Sequence, residues 1–547
     1  MSETLYYERG RQILSWREVL NNHAKLVHQP GFLPARRWYQ VHRWFKPDEP
    51  LVLRSFDGPA IEFAGLRLPM DETRCHGLVL GATGSGKSIL LSLASVGMVE
   101  EVKRNPDARA LFYDRKGELL PQLAGMGIEP VLIDPFDERG VRIDFARDIR
   151  SPADCEQMAA AFVPKASDGQ DPFWSRSTRA VFAAVVQSLM QSKPGQWTLV
   201  DVLRAMSSAE EIEKCVGRYP ETAIIWKNVR GEAKTEANLL ASFMSFLKRF
   251  QVVAALWERP GPSISLRDWS RSGNQVLVLR SHPNHSEVLA PIHRLILDLV
   301  ADETLSLPDS NTRRTFMVLD EFRTLGRVES AMMMANEGRS KGTCLFIGSQ
   351  SVEGLQEVYG EKGASELLGQ IRSKVFLRND SSATARWVEE HIGQVQFWVE
   401  SVSRQSSYGD GKSTSGVTRS YSRRRESAIL ASEIMKLPPP VPGGSLTLIN
   451  DVPGIGGVFV TQYDFDELVS RLPRPRPGFA SFVPRPVADQ FFKLEPAPAS
   501  PTAPIGKRTR HRQPTKPQAH PTDPNAMIDE LLRLDREEEA NDEKPQP

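Results

Sequence analysis

The stretch GATGSGKS at residues 81–88 decides the fold, because it fits the phosphate-binding pattern GxxxxGK[ST]. It follows an apolar run at residues 78–80 and precedes a helical stretch, which is the context that this pattern requires. Glycines in such a loop let successive backbone N–H groups point at phosphate oxygens, and the lysine places a cation at the β and γ phosphates. The sequence therefore predicts a nucleotide site, whose candidate binding residues are Gly81, Ala82, Thr83, Gly84, Ser85, Gly86, Lys87, Ser88 and Ile89.

A second strand-like run supplies the acids that such a site needs. Residues 316–319 are all apolar, as in a buried parallel strand, and Asp320 and Glu321 follow them. Since ligands bind at the carboxyl ends of parallel strands, we expect Ser88 and Asp320 to hold Mg²⁺ and Glu321 to act as general base towards water. This pair favours hydrolysis over binding alone. The alternative is a strand that simply ends in solvated acids.

Two more polar residues lie further along the chain. Gln350 follows the apolar run at residues 344–347, where an amide could sense the γ phosphate or position water. Arg339 is a candidate arginine finger for a neighbouring subunit, a kind of residue that contributes about 10³–10⁵ in rate. The alternative is a surface residue in a glycine-flanked turn. The predicted catalytic residues are Lys87, Asp320, Glu321, Arg339 and Gln350.

Strand-like and helical stretches alternate around these motifs. Short apolar runs at residues 77–80, 110–113 and 131–133, and again after residue 275, are separated by helical patterns, which is typical of a parallel sheet with helices on both faces. Between about residues 180 and 270, apolar residues recur every three to four positions without a strand-like run. The prediction is an α/β P-loop NTPase with a mostly parallel central sheet and an inserted all-alpha domain. Polar residues after two of the runs, namely Asp114, Arg115, Lys116, Asp134 and Asp137, are explained as well by ordinary turns.

Composition limits the class of protein. The 547 residues are 40% hydrophobic and 25% charged with a net charge of +1, which excludes a wholly disordered chain and gives no overall electrostatic argument for nucleic acid or membrane. The four cysteines lie at least 60 residues apart, so CxxC zinc and redox motifs are excluded. No run approaches the roughly 20 apolar residues of a membrane helix, and the charged N-terminus does not resemble a signal peptide. A cytoplasmic location is therefore expected.

Two segments differ sharply from the average composition. Residues 401–427 contain nine serines, six Lys or Arg and two acids, which predicts a mobile basic loop. Twenty of the 40 prolines fall in residues 438–547, and the chain beyond residue 471 is proline-rich, then basic, then acidic. Residues 471–547 are therefore expected to form a disordered tail, which either only solvates the protein or folds on a partner.

Together these motifs resemble those of the type IV secretion coupling proteins, the TraD/TraG type of conjugative DNA-transfer ATPase within the FtsK/HerA group of P-loop motors. The resemblance covers about residues 70–465, and the matching segments are GATGSGKS (81–88), YDRKGEL (113–119), LIDPFD (132–137), DPFW (171–174), VLDEF (318–322), GRSKG (338–342), FIGSQS (346–351) and SEIMKLP (432–438). It implies a RecA-like homohexamer that hydrolyses ATP and pumps single-stranded or double-stranded DNA. The implied partners are relaxase and relaxosome proteins and the ATPases of the secretion channel.

The resemblance also orders the domains. We expect an N-terminal segment or small lobe (1–69), a nucleotide-binding domain in two parts (70–180 and 273–470), the all-alpha domain between them (181–272), and the tail (471–547). Members of this family usually carry two membrane helices before the P-loop, and none is evident here. We expect it to act at the cytoplasmic face of the inner membrane. It would then either use a separate chain as its membrane anchor or belong to the soluble members of the family. An aromatic and basic cluster at residues 36–46 fits a small packed lobe, or contact with lipid or a partner.

Two other functions stay open on the sequence alone. A HerA- or FtsK-like DNA translocase that acts outside secretion would carry the same motifs, and association with a relaxase would separate the two. A nucleotide-switched adaptor that recruits protein substrates would show slow ATP turnover that DNA does not change. Such an adaptor has no need of Glu321 or Arg339.

Overall fold

The computed structural model describes residues 4–11, 13–26, 58–165, 171–409, 412–480 and 482–485. The aromatic cluster at residues 36–46 and the tail beyond residue 485 lie outside the described residues. The strands are β1 (Thr4–Gly10), β2 (Ala60–Phe63), β3 (Leu66–Pro69), β4 (Gly77–Leu80), β5 (Ala108–Asp114), β6 (Val131–Ile133), β7 (Arg142–Ile143), β8 (Ser263–Ile264), β9 (Val276–Arg280), β10 (Arg314–Leu319), β11 (Thr343–Ser349), β12 (Ser373–Phe376), β13 (Gln394–Gly409), β14 (Lys412–Ser427), β15 (Ser445–Val452) and β16 (Gly457–Asp464). The helices are α1 (Trp16–Leu26), α2 (Lys87–Arg104), α3 (Leu119–Gly125), α4 (Phe145–Asp148), α5 (Pro152–Phe162), α6 (Pro172–Ser192), α7 (Leu199–Ala205), α8 (Ala209–Val216), α9 (Pro220–Arg230), α10 (Ala233–Leu247), α11 (Gln251–Glu258), α12 (Leu266–Ser272), α13 (Ser286–Ser306), α14 (Glu329–Glu337), α15 (Val352–Gln370), α16 (Ser382–Ile392), α17 (Ala431–Met435), α18 (Phe465–Ser470) and α19 (Pro477–Ala480).

A nine-stranded sheet forms the centre of the molecule, in the order β16-β15-β12-β4-β11-β10-β5-β9-β6. The seven strands from β12 to β6 are parallel, and β15 and β16 extend the sheet with antiparallel pairs. The mostly parallel α/β fold predicted from the sequence is confirmed. The order also places β4, which leads into the P-loop, only one strand away from β10, which leads into the acidic pair.

Helices cover both faces of this sheet, which explains why its strands read as unbroken apolar runs. In β5, Leu111 and Tyr113 join the hydrophobic cluster on one face, while Ala110 and Phe112 join the cluster on the other. All four side chains are buried. The rigid sheet therefore fixes the positions of the residues that follow each strand at its carboxyl edge.

A helical module lies between the short strands β7 and β8, which pair in parallel at its base. It contains helices α4 to α11. The boundary predicted at residues 180–181 falls inside α6, because the helices begin earlier than the periodic apolar pattern. Ser151 and Asp171 cap α5 and α6 at their N-termini, and proline occupies the first helical position of both.

One helical stretch in the described part of the chain, residues 233–258, is long and apolar enough to cross a membrane by length and composition. It consists of α10, a single 3₁₀ turn and α11. Its Leu239, Phe243 and Phe250 side chains are buried in the core of the helical module.

The prediction of a mobile basic loop at residues 401–427 is wrong. β13 and β14 are 16 residues long each and form a regular antiparallel ribbon, in which Gln394 pairs with Ser427 and Gly409 pairs with Lys412. β1 adds a third strand along residues 395–400. The serines and glycines suggested a loop, but valine and tyrosine occur in both arms, tryptophan in β13 and threonine in β14, and these residues favour extended pairing. We call this element the β-ribbon.

The first part of the predicted tail is also folded. After α18 the chain packs against α3, where the Arg476 amide donates to the Pro121 carbonyl over 2.9 Å. Further on, the Arg485 amide donates to the Phe136 carbonyl over 2.7 Å, and the Glu138 amide donates to the Val483 carbonyl over 2.9 Å. We call the described residues 473–480 and 482–485 the C-terminal strap. The expectation of disorder from residue 471 onward is wrong for the strap, because its backbone groups are paired.

Candidate active site

The loop between β4 and α2 is fixed by the strands beside it. The Gly81 amide donates to the Ser349 carbonyl over 3.1 Å, and the Ala82 amide donates to the Arg378 carbonyl over 2.9 Å. Gly84 and Gly86 have φ values of 74° and 100°, which residues with a side chain rarely adopt. The loop therefore folds back on itself at the carboxyl edge of the sheet and opens the N-terminus of α2.

Lys87 is held inside this loop. Its ammonium group donates to the carbonyls of Gly81 and Ala82 over 2.8 and 3.0 Å, and the residue is only 4% exposed. Burial lowers the pKa of Lys87, while the nearby carboxylates of Glu321 and Asp320 act in the opposite direction. Backbone carbonyls of the loop thus hold the ammonium group at the position where phosphate would bind.

Ser88 and Asp320 are in direct contact. The Ser88 hydroxyl donates to Asp320 Oδ2 over 2.9 Å, and Asp320 Oδ1 accepts the Glu321 amide over 2.9 Å. A hydroxyl and a carboxylate oxygen side by side are ligands of the type that Mg²⁺ takes in nucleotide sites. The pair predicted for Mg²⁺ therefore fits that ion by its chemistry and by its mutual distance.

Glu321 lies next to this pair, in an unusual backbone conformation. Its φ is 51°, in the left-handed region, and its side chain is buried. Glu321 Oε2 accepts the Gln350 amide over 2.7 Å, and Glu321 Oε1 lies 3.6 Å from the Lys116 ammonium group. The Gln350 carbonyl in turn accepts the side-chain amide of Asn379 over 2.8 Å. Gln350 and Lys116, which follow β11 and β5, thus contact the carboxylate directly, and Asn379, which follows β12, binds the backbone of Gln350.

Arg339 is not brought to this cluster. It lies before β11, at the amino edge of the sheet, whereas Gln350 lies after β11 at the carboxyl edge. The seven residues of β11 separate the two by roughly 20 Å. Arg339 is exposed, and its carbonyl accepts the Arg74 guanidinium over 3.0 Å. A role for Arg339 towards a neighbouring subunit stays a prediction.

Two residues of the cluster were not singled out by the sequence analysis as site residues. In the sequence Lys116 has the pattern of an ordinary turn residue, and Asn379 belongs to no motif. Both follow apolar strands, β5 and β12, and a polar residue after a buried run was the only available signal. This signal is common in α/β proteins, so it does not identify a site residue unless the strand order is known.

The remaining polar residues at this edge are structural. Asp114 is buried and accepts the four successive amides of residues 117–120 over 2.9–3.1 Å, so it caps the start of α3. Burial raises the pKa of Asp114 to about 6. Asp137 binds Arg139 at 2.7 Å and Arg280 at 3.3 Å.

Comparison with known proteins gives one consistent relationship. A family profile described as "Type IV secretion-system coupling protein DNA-binding domain" matches residues 60–455. "Coupling protein TraD" of Escherichia coli strain K12 is 26% identical over 366 residues, which are 65% of this chain and 49% of TraD. The chain therefore spans about half the length of that relative.

Solved structures of similar fold include the bacterial conjugative coupling protein TrwBdeltaN70 in its unbound form. It has a TM-score of 0.61 and 20% identity, covering 84% of this chain and 94% of its own. TrwB in complex with ADP and Mg²⁺ has the same TM-score and identity and covers 84% and 95%. At this level of identity the likeness establishes the shared RecA-like fold.

Proposed function

Because this chain belongs to the type IV secretion-system coupling proteins, we propose that it hydrolyses ATP to move DNA into a secretion channel during conjugation. One observation carries the proposal: Ser88, Asp320, Glu321 and Gln350 form a continuous line of contacts beside Lys87 at the carboxyl edge of the sheet. A protein that only binds a nucleotide has no need of a buried, oriented carboxylate at the end of that line.

ATP is the nucleotide we propose, held by the backbone amides of residues 81–88. The Lys87 ammonium group would exchange its bonds to the Gly81 and Ala82 carbonyls for phosphate oxygens. Ser88 and Asp320 would hold Mg²⁺, which neutralises charge on the phosphate oxygens when bound. TrwB structures contain ADP and Mg²⁺, a non-hydrolysable ATP analogue or a non-hydrolysable GTP analogue, which supports a nucleoside phosphate with Mg²⁺ at this site.

Glu321 is the proposed general base. Its Oε2 is occupied by the Gln350 amide, so Oε1 is the oxygen that would take the proton of the attacking water. Gln350 acts as a positioning residue, since it fixes the rotation of the carboxylate. The Lys116 ammonium group lies 3.6 Å from the same Oε1 oxygen.

The proposed assembly is a homohexamer that works with relaxase and relaxosome proteins and with channel ATPases. The family description of a DNA-binding domain supports DNA as substrate. The exposed position of Arg339 at the opposite sheet edge suits contact with the next subunit of a ring. We place its work at the cytoplasmic face of the inner membrane.

The test is ATP turnover by the full chain, with and without a single-stranded oligonucleotide, at low and moderate salt. Lys87→Ala and Glu321→Gln should abolish turnover, the first through nucleotide binding and the second through the base. Lys103→Ala, at the exposed far end of α2, and Glu361→Gln, on the exposed surface of α15, are matched controls that should behave as wild type.

The outcomes separate the candidate functions. If DNA stimulates ATP turnover and added salt weakens that stimulation, the result supports the motor. Salt has this effect because DNA binding releases counterions. Turnover that DNA does not change would instead support the nucleotide-switched adaptor. If DNA stimulates turnover but no relaxase copurifies or binds, a translocase outside secretion becomes the better description.

A further inference from the structure

The β-ribbon has two chemically different faces. Side chains alternate along each arm, and directly paired residues share a face, so Trp398 lies beside Arg423 and Arg404 beside Val417. One face, which we call the basic face, carries Trp398, Arg404, Arg419, Tyr421, Arg423 and Arg425. The other, the serine face, carries Ser401, Ser403, Thr418, Ser420, Ser422 and Arg424. Four of these five arginines are therefore on one side.

Aromatic rings and guanidinium groups are interleaved on the basic face. The Arg423 guanidinium lies 4.8 Å from the centre of the Trp398 ring. Glu400, which is buried, accepts the Tyr421 hydroxyl over 3.1 Å and the Arg419 guanidinium over 3.4 Å. Glu400 thus holds an aromatic ring and a cation side by side, while the Tyr421 side chain remains open to solvent with 57% exposure.

The outer part of the β-ribbon has no third strand among the described residues. β1 pairs only with residues 395–400, and the ribbon continues from Ser401 to Gly409, which is about 30 Å at 3.4 Å per residue. A two-stranded ribbon alone is marginally stable in water. An arm of this length with an exposed Val417 is therefore suited to lie against a partner, and the exposed Tyr421, paired with Glu400, lies where this arm begins.

We propose that the basic face binds single-stranded nucleic acid, with Tyr421 stacking on a base and Arg404, Arg419, Arg423 and Arg425 contacting phosphates. Aromatic rings between cations at strand spacing match the alternation of bases and phosphates along a single strand. This inference rests on the proposed function only in the choice of DNA as the strand. It assigns the contact to one face of one element.

A lipid surface is less compatible with the same residues. Binding in a membrane interface needs an apolar edge beside the cations. Val417 and Tyr421 are the exposed large apolar side chains on the described part of the ribbon, and serine or threonine fills most of the opposite face. Hydroxyl groups of this kind hydrogen-bond phosphates well and enter hydrocarbon poorly.

The experiment measures binding of a fluorescent 20-residue oligothymidylate to the full chain by anisotropy, across a range of salt concentrations. Tyr421→Thr keeps a strand-forming residue and removes the ring, so we expect about tenfold weaker binding. Tyr421→Phe keeps the ring and should bind as wild type. Arg423→Ala should lower the slope of log affinity against log salt by about 0.7, the contribution of one phosphate contact.

Arg424→Ala is the matched control, since it removes the same charge from the neighbouring position on the serine face. It should leave the salt slope unchanged. Equal effects of Arg423→Ala and Arg424→Ala, or wild-type affinity in Tyr421→Thr, would overturn the proposal. Thermal unfolding of each variant checks that the fold is intact.

Two further results distinguish the failures. If wild type binds the oligonucleotide and the basic-face variants do so equally well, this inference fails while the motor survives. If wild type binds no oligonucleotide, both fail. Retention on vesicles of phosphatidylglycerol and phosphatidylcholine that the basic-face variants alone lose, with oligonucleotide binding unchanged, would replace the nucleic acid with a lipid surface.

Discussion

At Gly348 the backbone of β11 passes directly against Asp320. A methyl group built on Gly348 would lie 2.5 Å from Asp320 Oδ1 and 3.0 Å from a Leu91 methyl group. Gly348→Ala should therefore push the Asp320 carboxylate away from Ser88. We expect ATP turnover to fall by about a hundredfold, the effect of a displacement near 1 Å at a catalytic group. Steady-state turnover at saturating ATP and Mg²⁺ measures it.

Gly369→Ala is the control for this substitution, because a methyl group at Gly369, on α15, would meet nothing within 4 Å. It should turn over ATP at the wild-type rate. Wild-type turnover in Gly348→Ala would show that Asp320 does not need its present position.

The buried Asp134 leads to a second prediction, which concerns the pH dependence of stability. It is fully buried, its Oδ1 accepts the Phe136 amide over 2.9 Å, and its Oδ2 has no hydrogen-bond partner among the described residues. Burial raises the pKa of Asp134 from 3.8 to about 6. Between these values the native state binds a proton that the unfolded chain has released, so the stability of the wild type falls as pH rises from about 4 to 6.

Asp134→Asn removes this loss, and its amide oxygen can keep the bond to Phe136. The free energy of unfolding of the variant, relative to wild type, should rise by about 2.5 kcal/mol between pH 4 and pH 8, which is most of the effect of a shift of roughly two pKa units. Urea denaturation at both pH values measures the difference. The exposed Asp466→Asn controls for the loss of a carboxylate. A difference that does not grow with pH would contradict the prediction.

How far single residues could be predicted depends on how local their signal is. The P-loop residues and the Asp320–Glu321 pair are each read from a few consecutive letters, and the structure brings them into contact. Lys116 and Asn379 reach the same cluster from β5 and β12, which lie on opposite sides of β4 in the sheet. That neighbourhood depends on strand order, which no short stretch of sequence encodes.

At the scale of elements, Arg267 joins α12 to two other helices. Its guanidinium binds Asp154 of α5 at 2.6 Å and Glu303 of α13 at 3.0 Å, in a buried site. Arg267→Ala would leave the buried Asp154 carboxylate without its cation and Glu303 with Arg271 alone, so we expect the free energy of unfolding to fall by about 3 kcal/mol. Urea denaturation of the full chain measures this loss.

The control is Arg230→Ala, which breaks an exposed pair with Glu213 at 3.3 Å. Exposed pairs contribute little, and its unfolding midpoint should stay close to that of wild type. Equal midpoints for Arg267→Ala and wild type would mean that the network does not hold α12.

The β-ribbon shows where prediction of elements failed. The strands of the central sheet are buried on both faces, so each appears in the sequence as a continuous apolar run that can be recognised as a strand. The ribbon buries little beyond Phe397 and Val399 near its root, so its sequence has no core-facing pattern to read. Serine and glycine content then favoured a loop, although pairing between the two arms satisfies the same backbone groups.

At the scale of the whole molecule, the role of Arg339 can be tested between subunits of the proposed ring. If Arg339 acts on the site of its neighbour, a subunit with Arg339→Ala still has an intact Glu321, and a subunit with Glu321→Gln still offers an intact arginine. Mixing the two inactive variants in equal amounts should then restore about a quarter of wild-type turnover, since a heterologous ring pairs them correctly at one interface in four.

The control mixture contains Lys87→Ala and Glu321→Gln. Glu321 is placed with Lys87 in the same chain, so an arginine from a neighbour repairs neither site. No turnover is expected from that mixture. Failure of the first mixture to recover activity would assign Arg339 to the surface turn in which it lies.

The C-terminal strap gives the molecule a mechanical property. Its last described residue, Arg485, is tied by its amide to Phe136 and by its guanidinium to the Leu256 carbonyl of α11 at 3.3 Å. Force applied along the chain beyond Arg485 is therefore borne first at the base of the helical module, before it reaches Arg476 and Pro121. A pull on this end would therefore load α11 and the loop after β6 before it loads any strand of the central sheet.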